Sequence, residues 1–219
     1  LDKYGYKSQE KVYKEREKKI QERDLEKDKE FEKGLESLDC YLSKTERKLC
    51  ESGFPVFSDC RVDSSSDFFM NISAENKKQH NQKVEELEKK LNIESNKERA
   101  GEQLEMLKTA LFDKFLGEKI FVLRSSKYDD YYNGIDNILI DKESGEMVCA
   151  FDEVAFKDRS QDERLQEKKQ KLYKKNVNGG GRLDYGFRVE KNGQEINPST
   201  VENIPVFYIY FPLKFLRNT

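Results

Sequence analysis

Apolar residues are sparse over residues 1–50 and fall at helical intervals. Phe31, Leu35, Leu38, Leu42 and Leu49 are spaced four, three, four and seven apart, which puts them on one helical stripe. From residue 7 to residue 30 only Val12, Tyr13, Ile20 and Leu25 interrupt a Lys- and Glu-rich run without proline. The pattern predicts a charged helical arm over 1–50. Its first thirty residues are held by ion pairs four apart, and 31–49 are suited to a coiled coil, self-association or a partner helix. Gly53, Pro55 and the polar run Asp63–Asp67 end the helix and make 51–71 a connector, whose Phe54, Val56, Phe57, Phe68 and Phe69 expect packing partners. A second helix of the arm spans 72–94, with Val84, Leu87 and Leu91 on one side and His80 on the polar side.

From residue 95 the pattern changes to that of a compact domain. Ser95-Asn96-Lys97-Glu98 has capping-box spacing, and Leu104, Leu107, Leu111 and Phe115 form the expected buried stripe of a helix that Gly117 ends. Lys119–Arg124, Ile135–Asp141 and Met147–Phe156 read as strands, and Arg159–Lys175 as a charged helix. Arg182–Glu190 and Gln194–Ile196 flank Asn192-Gly193, a hairpin turn, and Val206–Phe211 is a final aromatic strand expected to be buried on both faces. Helix, three strands, helix, hairpin and strand make an α/β (α+β) domain over 95–219, of αβββαβ type with a mixed sheet.

Charged residues are 38% of the chain and hydrophobic ones 35%, which suits one domain with an appendage better than a wholly globular chain. The net charge of -2 excludes a global field that attracts nucleic acid, so any such surface must be local. One exists: Lys168, Lys169, Lys171, Lys174 and Lys175 fall within eight residues that contain no acid. They could follow a DNA or RNA backbone, or simply complement the dipole of a helix end. Cys40, Cys50, Cys60 and Cys149 contain no CxxC pair, and His80 is the sole histidine, so the usual zinc-finger spacings are absent. A thiol inside a strand fits a reducing compartment such as the cytoplasm. The apolar runs are too short for a membrane span. No signal peptide is visible, although a chain starting at Leu1 leaves a removed targeting segment open.

The candidate chemistry lies between Lys127 and Lys157. Asp136 stands near the start of the second strand, and Asp152 and Glu153 near the end of the third. Side chains alternate along a strand, so the length of the loop after Asp141 selects the carboxylate that shares a face with Asp136. Loops of two or four residues select Glu153, the favoured reading, and a three-residue loop selects Asp152. Two such carboxylates repel unless a proton or cation intervenes, and Mg²⁺ or Mn²⁺ suits hard oxygen donors. Glu102 on the capped helix is a candidate third carboxylate. Tyr128, Tyr131 and Tyr132 suit either base stacking or packing at the sheet rim.

Gly134-Ile135-Asp136, the hairpin and the acidic end of the next strand resemble the PD-(D/E)xK phosphodiesterase superfamily over about Ser95 to Phe211. The resemblance implies an αβββαβ core and Mg²⁺-dependent cleavage of nucleic acid, with Asp136 and Glu153 as metal ligands and Glu102 as the helix acid. The chain departs from the motif at Ala155, where lysine is expected. Lys157, the next position on that face, or Lys168, Lys169 or Lys171 from the following helix would then supply the catalytic amine. The other expectation is a silent domain of this fold that serves as a binding or structural module.

Overall fold

The computed structural model describes residues 37–91, 96–156, 162–190 and 195–212. The chain divides into Leu1–Asp39 and Cys40–Thr219. Of the first unit only 37–39 are described, so the coiled-coil expectation for 31–36 lies outside the described residues, as do Ser95 and the turn at Asn192-Gly193.

The second unit is mixed α and β. Its elements are α1 (40–51), α2 (Ala74–Leu91), α3 (Asn96–Leu116), β1 (Ile120–Arg124), a π-helical turn (Asp129–Asn133), β2 (Asn137–Asp141), β3 (Met147–Phe156), α4 (Asp162–Val177), β4 (Gly181–Val189), β5 (Ile196–Ile204) and β6 (Val206–Pro212). The expected mixed sheet has the order β1-β2-β3-β6, antiparallel except that β6 runs parallel to β3. β2 is central and almost wholly buried, as its unbroken apolar run requires. The two strands of the expected hairpin form a separate two-stranded sheet, β4-β5. β6, expected to be buried on both faces, is the last strand of its sheet, and Phe207 on it is 51% exposed.

The connector finds the packing partners its phenylalanines require, and α1 and α2 are drawn into the same core. The connector belongs to the core: buried Phe54 stacks edge-on against Phe121 and Phe187, and buried Phe69 against Tyr185. Leu42 and Leu49 of the helical stripe are buried within this unit, and Thr45 and Tyr41 donate from α1 to Asp113 of α3, at 2.9 and 3.2 Å. His80 is not on a solvated side: its ring stacks on Tyr128 at 3.7 Å, with Nδ1 3.1 Å from the Tyr185 hydroxyl. The Ser73 hydroxyl accepts from the Asn76 amide at the start of α2.

α3 is rotated relative to its leucine stripe. Leu104 is buried, but so are Lys108, Thr109 and Ala110, whereas Leu111 is exposed and Phe115 is 74% exposed. Buried polar partners account for the rotation. Thr109 accepts from Asn137 Nδ2 at 2.8 Å, and Glu105 meets two buried arginines. Satisfying such groups outweighs hiding two more apolar side chains.

Asp129 joins the π-helical turn to the second sheet. It is fully buried and accepts hydrogen bonds from the Asp184 and Tyr185 amides (2.8 and 3.1 Å), the Ser126 hydroxyl (2.7 Å) and Asn133 Nδ2 (2.7 Å). Burial pushes its pKa up, and these donors oppose the shift. Replacing Asp129 by alanine strands the buried Tyr185 amide and the partly buried Asp184 amide and should cost about 3 kcal/mol, read as a lower urea midpoint. A loss under about 0.5 kcal/mol, the range of ordinary surface substitutions, would refute the pinning role.

Candidate active site

The register of β2 on β3 decides which acids meet. Asp141 donates to Glu146, closing a four-residue loop in which Gly145 takes φ +73°; a Cβ there would lie 1.9 Å from the Val189 carbonyl oxygen. The Asp141 carboxylate holds this turn by accepting from the Ser144 amide and hydroxyl. Such a loop was expected to set Glu153 on the face of Asp136. The pairing then shifts, because Ile140 faces Met147 while Leu139 faces Cys149, which leaves Val148 as an extra residue. This β-bulge reverses the parity of everything beyond it. Asn137 pairs with Phe151, the Asp136 amide donates to the Phe151 carbonyl at 2.8 Å, and the next position across from Asp136 is Asp152. The expectation for Glu153 is corrected in register; its side chain, and the whole of Lys157, lie outside the described residues.

Asp136 is 7% exposed and lies among charged groups of α3, the π-helical turn and β3. Carboxylate oxygens of Glu105 from α3, Asp130 from the π-helical turn and Asp136 all lie within 4.8 Å of one another. Glu102, the expected helix acid, is exposed one turn earlier and contributes nothing to this trio. Beneath the acids are two buried arginines. Arg61 Nη1 donates to Asp130 at 3.0 Å and its Nη2 to Glu105 at 3.0 Å. Arg124 donates to Glu105 at 2.5 Å and to Asp59. A parallel backbone bridge between Arg61 and Arg124 brings the two guanidinium groups to the same acids.

Lysines surround the other side. Lys108, buried one turn beyond Glu105 on α3, lowers the pKa of both Asp136 and Asp152 by its charge. Lys168 Nζ is 3.7 Å from Asp152, and the Tyr208 hydroxyl bonds the same carboxylate. Lys175 Nζ accepts no role in a loose surface patch: it donates to the carbonyls of Asn133 and Gly134, at 2.5 and 3.2 Å. Lys169, Lys171 and Lys174 remain exposed. The five lysines expected to act as one patch are thus divided between the acids and solvent.

The electrostatic result is an excess of negative charge at one position. Burial raises the Asp136 pKa well above the carboxylate range; Asp130, Glu105 and Asp152 add to the rise, against Lys108. Asp130 is pushed up to about 6 by burial and Glu105, opposed by Arg61. Burial raises Asp152, opposed by Lys168, Tyr208, Lys175 and Lys108. Glu105, Asp130, Arg61, Arg124 and Lys108 were missed as site residues in the sequence. Their available signal was ionic residues placed inside apolar elements, as in Glu105-x-x-Lys108-Thr109 and the Arg124 that ends an apolar strand.

No helix among the described residues is long and apolar enough to cross a membrane. All four cysteines are free thiols, Cys60 and Cys149 buried and Cys40 and Cys50 exposed. No family model, curated protein or solved structure matches the chain.

The raised pKa of Asp136 carries a definite sign. Its folded state holds the proton to higher pH than the unfolded state, so stability falls as pH rises through the folded-state pKa. Asp136→Asn should therefore raise the metal-free Tm by a few degrees at pH 8, and the difference from wild type should shrink towards pH ~4, where an unfolded aspartate also protonates. A variant less stable than wild type at pH 8 would show instead that Lys108 more than neutralises Asp136.

Proposed function

We propose that the protein is a divalent-cation-dependent phosphodiesterase acting on nucleic acid. The observation that carries this reading is the meeting of Asp136 with Glu105, Asp130 and Asp152 in one buried cluster, where burial and mutual repulsion hold the Asp136 pKa up. Hard oxygen donors from three elements suit Mg²⁺ or Mn²⁺. Asp136 would hold the ion, with Asp152 across the strands and Glu105 or Asp130 beside them. A bound ion would supply Lewis-acid stabilisation of the phosphoryl oxygens and a water of lowered pKa.

The chain's own residues supply the rest. Lys108 takes the part of the motif lysine that this chain lacks at Ala155, as a cation beside both aspartates. It would offset charge that builds on the attacking or leaving oxygen. Lys168 and Tyr208 hold the Asp152 carboxylate in one orientation. Arg61 and Arg124 fix Glu105 and Asp130 from behind, which is the preorganisation such a site needs.

The same arginines favour a second reading. Glu105, Asp130 and Asp59 already meet guanidinium cations, and a paired ionic core of this kind also suits a silent domain that binds a partner.

Incubation with single- and double-stranded DNA and RNA separates the two. The phosphodiesterase cleaves at least one of them with Mg²⁺ or Mn²⁺, loses activity in EDTA and loses it in Asp136→Ala. Lys108→Met should slow cleavage about 100-fold. Mn²⁺ at a hundredfold excess over Kd should stabilise the wild type by about 2.7 kcal/mol, and Asp136→Ala much less. No cleavage of any substrate together with a Tm that ignores Mn²⁺ would leave the silent module.

A further inference from the structure

The charged helix α4 presents two different faces. Lys168 and Lys175, seven residues apart and so on one side of the helix, reach Asp152 and the carbonyls beside Gly134. Lys169, Tyr173, Asn176 and Val177 follow the spacing of an adjacent stripe and, with Leu172, line a shallow, open and largely apolar groove. Tyr173 is 70% exposed, an unusual place for a large aromatic ring, and Val177 is exposed beside it. Asn176 holds the stripe in place: its Nδ2 donates to the Val206 carbonyl at 2.8 Å, and its Oδ1 accepts from the Val206 amide at 3.1 Å. The groove is therefore fastened to the first residue of β6. Lys171 and Lys174 extend the positive charge round the exposed side of the helix.

We propose that this face of α4 is the track for a single-stranded nucleic acid on its way to the acids. Charge complementarity identifies the occupant. Lys169, Lys171 and Lys174 are exposed within a stretch, Lys168 to Lys175, that contains no acid, and form a local positive field in a chain of net charge -2, which matches a polyphosphate backbone. The ring of Tyr173 beside Lys169 offers a stacking face next to a phosphate-binding cation, a combination that takes an unstacked base. A duplex keeps its bases stacked and offers the ring nothing. The same helix carries both sets of lysines, so a strand lying along Lys169 and Tyr173 continues towards Lys168 and Asp152. The proposal rests on the phosphodiesterase reading only for what lies at the end of the track; binding itself needs no cleavage.

The test is fluorescence anisotropy on the full chain in EDTA, with labelled oligo(dT), oligo(U), a DNA duplex and poly-glutamate as probes. The wild type should bind a single-stranded probe more tightly than the duplex or poly-glutamate. Lys169→Ala with Lys174→Ala should weaken binding and reduce the slope of log K against log salt by about 1.4, two lysines at ~0.7 each. Tyr173→Ala should weaken binding about tenfold, and Tyr173→Phe should retain it, since stacking needs only the ring. All positions are exposed, and an unchanged Tm will verify the fold of each variant. No binding by the wild type, equal affinity for poly-glutamate, or indifference to Tyr173→Ala would each overturn the track. Binding as expected without cleavage of any substrate would sink the phosphodiesterase reading and leave this one standing.

Discussion

Two arginines buried in one ionic network set the conditions for the rest of this domain. Arg61 comes from the connector and Arg124 from the end of β1, and each is almost wholly removed from water. Burying a guanidinium is tolerated only where carboxylates and carbonyls take up its donors. That need draws Glu105 from α3, Asp130 from the π-helical turn and Asp59 from the connector to one place. It also fixes the roll of α3, which turns Lys108 and Thr109 inward and leaves Leu111 and Phe115 outside. A connector that would otherwise be a surface loop becomes a wall of the site.

Two adjacent aspartates divide the consequences. Asp129 is satisfied by backbone amides of β4 and by side chains of its own turn, and so binds the two-stranded sheet to the larger one. Asp130 faces the opposite way, onto Arg61. A π-helical turn places the two neighbours on these separate tasks, and Gly134 ends it in the left-handed region. A side chain at Gly134 would have its Cβ 3.2 Å from Lys175 Nζ, the group that caps the turn's carbonyls. The acid cluster, the sheet junction and helix α4 are thereby tied through residues 129–134.

In charge terms the site is close to balance without being uniform. The arginines serve Glu105, Asp130 and Asp59, while the lysines serve Asp152. Asp136 is the position where burial and three neighbouring acids outweigh Lys108. That local imbalance, more than the number of acids, is the ground for reading a cation-dependent phosphodiesterase. Lys108 also changes the significance of Ala155. A buried amine on the helix lies near the same carboxylates, so the departure from the strand motif does not by itself leave them without a lysine.

The elements of the core could be read from the chain because they follow from local periodicity. An unbroken apolar run made β2 central, the helical spacing located α3 and α4, and Gly145 marked the turn. Asp136 could be singled out for the same reason, as the acid at the head of an apolar strand. Of its partners only Asp152 could be named, and then as the less favoured alternative. One extra residue, Val148, reverses the parity of β3 and brings up Asp152 in place of Glu153. Pairing register is a property of two strands, and a bulge has no signature in either alone. Glu105, Asp130 and the arginines lie up to 69 positions apart in sequence. Their roles exist only where tertiary packing makes an unpaired buried charge too costly to leave.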